Sequence, residues 1–315
     1  MTLDWTDFAD ALRWLLALAG VGWLFYAWLY RIAYRRVLLV VLALVVVDWT
    51  AQTVAGWAVR PDSNLPTDVP AYSTFILLAA VLGLAFAGWQ ARRDGIALAA
   101  FLDTALVVVL IGGIGARGYH ILSHWDYYSQ NIDDMTNLAQ GGMGMRGALG
   151  LGLLALALFA PLRRVSFWKL ADAGAVGLSL ALAVGWYAAR LIGANYGVVS
   201  DAPFAQDLPD LYGIVAPRMP VQLAAIGFFF LVFAALAWQG TRPSRRPGAL
   251  LLLFLILFGL GNLGLDSQRA DETLLWNGWR VDQLFDLVFA GLGLIVLGAR
   301  NIAFRVRPNV QVEAR

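Results

Sequence analysis

Three arginines stand in or at the ends of apolar stretches long enough to cross a bilayer: Arg117, Arg146 and Arg190. An arginine surrounded by hydrocarbon costs about 2.5–3.5 kcal/mol on insertion scales, so its side chain normally faces protein, water or a bound anion. The guanidinium fork matches a phosphate group, and phosphates are the natural anions of a membrane. The three arginines therefore indicate anion-binding chemistry, with a lipid phosphate as the expected ligand.

The composition indicates what kind of protein must position these side chains. Of the 315 residues, 60% are hydrophobic and only 14% are charged, which is typical of a protein with several membrane spans. The absence of cysteine excludes a disulfide framework and a cysteine-based metal site. With only two histidines in the chain, we expect no metal site and no cofactor, and no nucleic-acid partner.

Nine apolar segments have the length of about 20 residues that a helix needs to cross a bilayer. They cover residues 8–30, 37–59, 71–90, 96–122, 144–161, 170–192, 221–239, 249–265 and 281–299. We predict an all-α polytopic membrane protein with about nine transmembrane helices. Residues 1–60 would form two additional N-terminal helices, and residues 61–315 a membrane domain with a seven-helix body.

The connections between these segments alternate in charge. Fifteen of the 23 lysine and arginine residues lie in five connections or tails, namely RIAYRR, QARRDG, PLRRVSFWK, QGTRPSRRPG and the stretch from residue 299 to the end. The other connections are acidic. By the positive-inside rule the N-terminus is outside and the C-terminus is cytoplasmic. The predicted outer loops of the body are residues 123–142, 193–220 and 265–280.

Five polar segments near the ends of spans resemble a known family in their order and spacing. They are GARGYHIL (115–122), GGMGMRGALG (141–150), VGWYAARLIGANYGVVSD (184–201), PRMPVQL (217–223) and WRVDQLFD (279–286). Together they are similar to the motifs of the bacterial prolipoprotein diacylglyceryl transferases. The resemblance covers about residues 70–300 and implies a multi-pass protein of the bacterial cytoplasmic (inner) membrane.

Members of this family transfer the diacylglyceryl group of phosphatidylglycerol to the thiol of a lipobox cysteine in a preprolipoprotein. Such a site must hold the phosphate leaving group and help to deprotonate the thiol. The resemblance implies that the following residues contact lipid or substrate: Arg117, Tyr119, His120, Arg190, Tyr196, Arg218 and Gln222. Arg146 is the candidate catalytic residue. We expect Arg117, Tyr119, Arg146 and Arg190 to line a lipid-accessible cavity in the outer half.

The sequence departs from the family pattern at several polar positions. Arg146 stands where the family has a histidine, and an arginine cannot act as a base because it stays protonated. The arginine of the third motif is Trp186 here. Further polar positions are occupied by Ala189, Ile192, Ala194, Ala224 and Ala225. In the eighth span, Arg269 would be the displaced counterpart of another functional arginine.

Two functions follow from these departures. The leading hypothesis is a non-catalytic family member that binds phospholipid, with phosphatidylglycerol the expected lipid, or that joins other membrane-protein subunits in a complex. The two additional helices would supply lateral surface for such a complex. The alternative is an active phosphatidylglycerol–prolipoprotein diacylglyceryl transferase, with a preprolipoprotein as its partner. A transporter is not favoured, because no inverted repeat is apparent.

Each candidate side chain also has a structural interpretation. Arg117 would anchor backbone carbonyls between helices, and Arg146 would pair with an outer-loop aspartate. Arg190 would extend its charge to the membrane surface, and His120 would be a hydrogen-bonded structural residue.

Acidic residues in the apolar segments allow two interpretations as well. Asp48, in the second segment, would be a proton or ligand site, or a carboxyl hydrogen-bonded near the outer interface. Asp282 and Asp286 are one helical turn apart. They would form a paired-carboxylate site or a structural network that includes Arg280.

Overall fold

The computed structural model describes residues 68–137 and 142–306, so the two predicted N-terminal helices and Asp48 lie outside the described residues. Within those ranges, seven helices are long and apolar enough to span a membrane. They are α1 (Asp68–Arg93), α2 (Leu98–Ser123), α4 (Met145–Leu162), α5 (Phe167–Leu191), α6 (Val221–Gly240), α7 (Ala249–Asp266) and α8 (Val281–Val306). The all-α class and the seven predicted spans of the body are confirmed.

The connections at the two ends of these helices differ in charge and in structure. At the basic end, the loops 94–97, 163–166 and 241–248 are short. At the acidic end, the loops are longer and contain the short helix α3 (Trp125–Tyr128) and one 3-10 turn (Ile132–Thr136). They also contain two antiparallel hairpins: β1 (Gln206–Pro209) with β2 (Val215–Arg218), and β3 (Leu275–Trp276) with β4 (Trp279–Arg280).

Helix α5 is the central helix of the described body. It packs against α1, α4, α6 and α7, and it has the largest buried share of the seven spans. Its buried positions carry mostly small side chains, which let neighbouring backbones approach closely in a membrane. The larger core side chains come from α6 and α7, where Phe229, Phe254 and Phe258 are fully buried.

The basic end is held together by the buried carboxylate of Asp172 in α5. Its oxygens accept hydrogen bonds from the backbone NH groups of Gly248 at 2.7 Å and Leu251 at 2.9 Å, where α7 begins. Arg245 pairs with Asp172 and also with Asp94, at 2.5 Å from the latter. One aspartate therefore caps α7 and joins it to α5, while an arginine balances its charge.

Helices α2 and α4 form a pair that packs chiefly on itself. The two backbones meet at Gly115 and Gly147. A Cβ atom added at Gly115 would lie 2.4 Å from the carbonyl oxygen of Gly147, and one at Gly147 would lie 2.1 Å from that of Gly115. Because real Cβ atoms do not approach an oxygen so closely, only glycine permits this contact between the two helices.

The α2–α4 contact gives a stability prediction. We expect Gly115→Ala to lower the free energy of unfolding by about 1–3 kcal/mol, because the added methyl group must push two backbones apart. Gly113→Ala is the matched control on the same helix, since nothing lies within 4 Å of its added Cβ. The unfolding midpoint of each purified variant, followed by tryptophan fluorescence, tests this. Equal midpoints for the two variants would contradict the packing argument.

Candidate functional site

Arg146 lies buried among three aspartates at the acidic end, and its side chain comes from the first turn of α4. Its Nη2 donates to Asp266 Oδ2 at 2.5 Å and to Asp286 Oδ2 at 2.8 Å, and its Nε donates to Asp286 Oδ1 at 3.2 Å. Asp282 Oδ2 lies 3.4 Å from Arg146 Nη1. Because Asp266 ends α7 and the other two aspartates belong to α8, one guanidinium joins three helices.

Two further arginines extend this arrangement into the loop that follows α7. Arg269 Nη1 lies 2.8 Å from Asp266 Oδ1, and Arg269 Nη2 lies 2.6 Å from Asp271 Oδ2. Arg280 Nη2 lies 3.1 Å from the same oxygen of Asp271. We call the following side chains the arginine–aspartate network: Arg146, Arg269, Arg280, Asp266, Asp271, Asp282 and Asp286. With every group ionised, three positive and four negative charges leave it one negative charge in excess.

The charge of Arg269 is secured by its surroundings. Burial lowers the pKa of Arg269, but the hydrogen bond to Asp271 and the charges of Asp266 and Asp271 raise it more. The pKa of Arg269 is therefore above its ordinary value, and the side chain stays protonated. Arg269 also donates to Asn195 Oδ1 at 2.9 Å, which links the network to the loop after α5.

Tyr119 and Arg146 meet at the same carboxylate. The hydroxyl of Tyr119, in α2, donates to Asp282 Oδ1 at 2.6 Å, while Asp282 Oδ2 faces Arg146. The Tyr119 ring packs edge-on against Phe285 with centroids 5.2 Å apart. The structure thus brings Tyr119 and Arg146, two of the four predicted cavity residues, together. They are joined through the carboxylate of Asp282 and do not face each other across a cavity.

Arg117 is buried and its guanidinium donates to backbone carbonyls of the loop between α2 and α4. The accepting oxygens belong to Asp134, Met135, Asn137 and Gly142, at 2.6, 3.0, 3.1 and 3.2 Å. The guanidinium carbon lies 5.3 Å from the centroid of the Tyr128 ring. This arrangement matches the structural interpretation of Arg117 as an anchor. Its lipid-binding role stays a prediction.

His120 lies beside this anchor and is half-buried. Its ring is 4.3 Å from the His124 ring and meets the Tyr128 ring edge-on at 5.9 Å. A side chain at Gly142 would come within 2.5 Å of the His120 ring, so the loop packs directly against it. His120 therefore contributes to the packing of the α2–α4 loop, and its proposed contact with lipid stays a prediction.

The remaining predicted residues surround the loop between α5 and α6. Arg218 is buried, donates to Asp210 Oδ2 at 3.0 Å and lies over the Tyr196 ring at 4.7 Å. Burial raises the pKa of Tyr196, and the nearby charge of Asp210 adds to this. Gln222 is buried and donates to the carbonyl oxygen of Ala194 at 3.0 Å. These contacts fix the loop to the beginning of α6.

Arg190 is bonded more weakly than the other predicted arginines. It lies in the last turn of α5, and its Nη2 donates to Gln206 Oε1 at 3.4 Å. Its Nη1 atom is buried and has no hydrogen-bond partner within the described ranges. Arg190 therefore has one hydrogen-bond donor that no described residue satisfies.

The chain is similar to proteins of a known family over most of its length. The family model for prolipoprotein diacylglyceryl transferase matches residues 63–299. The chain belongs to the prolipoprotein diacylglyceryl transferase family. It is therefore a multi-pass membrane protein, as the seven apolar helices within residues 68–137 and 142–306 indicate.

Several relatives carry the name phosphatidylglycerol–prolipoprotein diacylglyceryl transferase. The protein of Acaryochloris marina is 29% identical over 253 residues, which make up 76% of this chain and 89% of the relative. That of Thermosynechococcus vestitus is 27% identical over 234 residues, or 70% of this chain and 85% of the relative. That of Bacillus licheniformis is 27% identical over 247 residues, which make up 76% of this chain and 89% of the relative. The similarity thus extends over nearly the whole length of these relatives.

Two of the residues that depart from the motif pattern lie in packed positions. Trp186 and Ala225 belong to the hydrophobic core of the body. Ala194 contributes its backbone carbonyl, which accepts a hydrogen bond from Gln222. Ala224, in contrast, is exposed.

Three aspartates on which the site depends do not stand out in the sequence: Asp210, Asp266 and Asp271. Each stands at the end of a span or in an acidic loop, where aspartate is common. The number of arginines at the acidic end could have indicated these aspartates, because each buried arginine needs a carboxylate or several carbonyl oxygens as hydrogen-bond acceptors. A structural network was one of the two interpretations of Asp282 and Asp286. Such a network is present and includes Arg280, but it centres on Arg146.

The excess negative charge gives a double-mutant prediction. Arg146→Gln leaves three carboxylates without their shared cation, so we expect a loss of stability of about 3–5 kcal/mol. Asp286→Asn removes one of the four negative charges, so it should lower the stability by less than Arg146→Gln does. The double variant has the net charge of the wild type, and we expect it to be more stable than Arg146→Gln alone.

Unfolding midpoints of the wild type, both single variants and the double variant measure this coupling, which we expect to be about 0.5–3 kcal/mol. Asp207→Asn, at an exposed position in β1, is the control partner. Its effect on the free energy of unfolding should simply add to that of Arg146→Gln. Simple additivity of Arg146→Gln and Asp286→Asn would count against a shared network.

Proposed function

We propose that this protein is a non-catalytic member of the family that binds phospholipid at the acidic end of its helices. It works in the bacterial cytoplasmic membrane, with the acidic end on the outer side. The observation that supports this proposal most directly is the environment of Arg146, which takes the place of the family's histidine and is neutralised by Asp266, Asp282 and Asp286.

An arginine accelerates the departure of a phosphate only if its charge is available to that phosphate. Arg146 donates to buried carboxylates, which already neutralise its charge. A phosphodiester that approached it would have to displace an aspartate. The network contains no histidine, and arginines engage each of its carboxylates, so none is left free to accept the proton of a thiol.

Arg190 is the residue that we place against the lipid phosphate. It makes no ion pair with a carboxylate in residues 68–137 or 142–306, and its Nη1 has hydrogen-bonding capacity left. It lies in the last turn of α5, at the depth where a spanning helix meets the lipid headgroups. Phosphatidylglycerol is the expected lipid. Bound lipid would suit a protein that acts as a subunit of a larger membrane complex, for which the two additional N-terminal helices offer lateral surface.

The second candidate is an active transferase that uses phosphatidylglycerol and a preprolipoprotein. The relatives named as transferases favour it, since the match covers 85% of the Thermosynechococcus vestitus protein and 89% of the Acaryochloris marina protein. In that case Arg146 would have to exchange an aspartate for the phosphate during the reaction. The two functions differ in whether a thioether is made.

A direct assay separates the two functions. The purified protein in phosphatidylglycerol nanodiscs is incubated with a lipobox peptide, and thioether product is measured by mass spectrometry. We expect none above the peptide alone, because Arg146 and the carboxylates around it are engaged with one another. The transferase of Bacillus licheniformis is the positive control. Product that forms with the wild type and is lost in Arg146→Ala would overturn the non-catalytic proposal.

Lipid occupancy tests the role of Arg190. The protein is extracted mildly, and bound phosphatidylglycerol is counted by native mass spectrometry. We expect Arg190→Gln to reduce occupancy roughly tenfold, since a charge-assisted hydrogen bond is worth about 1.5–3 kcal/mol. Arg92→Gln, at an exposed position at the basic end, is the control and should leave occupancy unchanged.

Arg117→Gln is the second comparison in this experiment. It should lower the unfolding midpoint, because four carbonyls lose their donor, and it should reduce lipid occupancy less than Arg190→Gln does. Lipid that is lost in Arg117→Gln and retained in Arg190→Gln would place the phosphate at Arg117 and contradict the proposal for Arg190.

A further inference from the structure

The hairpin of β1 and β2 ends in an exposed apolar tip. The residues from 211 to 217 read LYGIVAP and contain no charge. Four side chains of this segment are 59–68% exposed: Leu211, Tyr212, Ile214 and Val215. We call residues 211–215 the hairpin tip. A contiguous apolar surface of this kind marks contact with a membrane or a partner.

The tip has a fixed shape although its side chains are exposed. The carboxylate of Asp210 accepts hydrogen bonds from the backbone NH groups of Tyr212 and Ile214, both at 2.9 Å, and its other oxygen binds Arg218. The NH group of Gly213 donates to the carbonyl oxygen of Asp210 at 3.1 Å. Because the loop is already ordered, little conformational entropy is lost when the tip is bound.

The end of β1 next to the tip is packed closely against the residues that follow α5. A Cβ atom at Gly193 would lie 2.5 Å from the carbonyl oxygen of Asp210, and the φ of Gly193 is +67°, which favours glycine. At the other end of the hairpin, β2 finishes at Arg218 and α6 begins at Val221. The hairpin is therefore held close to the ends of two spanning helices, by packing at α5 and by a short connection at α6. Its four-residue strands extend only about 13 Å.

The surroundings that suit this tip are those of the bilayer surface. The NH groups of Tyr212, Gly213 and Ile214, at the turn, all donate to Asp210. This pairing favours entry of the turn into an apolar layer, since an unpaired NH group costs several kcal/mol there. For the same reason the tip offers few donors to a protein partner, whose interface would carry a polar rim. The second hairpin agrees with this depth. It exposes Trp276 and Trp279, and its strand β4 continues directly into α8.

We propose that the hairpin tip is an interfacial membrane anchor. Leu211, Ile214 and Val215 enter the boundary between headgroups and acyl chains, and Tyr212 lies at headgroup level. The anchor holds the loop between α5 and α6 in the plane of the membrane. This inference does not depend on whether the protein binds a lipid phosphate or transfers a lipid.

The absence of cysteine makes the test direct, because single cysteines can be introduced without removing any. Leu211→Cys and Ile214→Cys place a nitroxide label on the tip, and Asp207→Cys places one on exposed β1 of the same hairpin. The full chain is reconstituted into vesicles of phosphatidylglycerol and phosphatidylethanolamine. Collisions of each label with oxygen, which enriches in lipid, and with a water-soluble nickel chelate are measured by paramagnetic resonance.

We expect both tip labels to show a severalfold higher ratio of oxygen to nickel accessibility than the Asp207 label. Labels shielded from both reagents would indicate contact with protein, such as a second copy of the chain, and would overturn the proposal. Tip labels as open to nickel as the Asp207 label would overturn it too. Unfolding midpoints equal to that of the unlabelled protein verify that the substitutions leave the fold intact.

Discussion

The acidic end of this membrane protein depends on the burial of one cation among three anions. Arg146 reaches from α4 to Asp266 at the end of α7 and to Asp282 and Asp286 in α8. A buried charge without its partners is strongly unfavourable, so the positions of these helices are linked. The link matters because α2 and α4 pack chiefly on each other and touch α8 in few places. Tyr119, bonded to Asp282, adds the contribution of α2 to the same junction.

The same junction determines where the positive charges at this end of the protein are directed. Phosphate-transfer sites use cations whose field is directed at the substrate, and that field must not be cancelled within the protein. Here the arginines at positions 146, 218 and 269 each face carboxylates supplied by the chain itself. The guanidinium groups then act as cross-links between helices and loops.

The sequence predicts the helices of the body well and the partners of its charged groups poorly. Span length and hydropathy are local properties, so seven of the predicted segments match α1, α2 and α4–α8 closely. Pairing is not local, since Asp266 and Asp286 are separated from Arg146 by 120 and 140 residues. Arg117 binds backbone carbonyls, as one of its two interpretations predicts, but the residue types of the loop do not indicate which carbonyls these are. The hairpins were not predicted because strands of two or four residues leave almost no periodic signal.

The distance along the chain between Arg146 and its counterions has a consequence for biogenesis. The glycine contact between Gly115 and Gly147 lets α2 and α4 associate as soon as both have entered the bilayer. The three carboxylates that Arg146 pairs with are not yet present at that stage, because they lie in α7 and α8, which are synthesised last. Completion of the acidic end is therefore the final event of assembly, and the chain cannot close this junction before its last helix is in place.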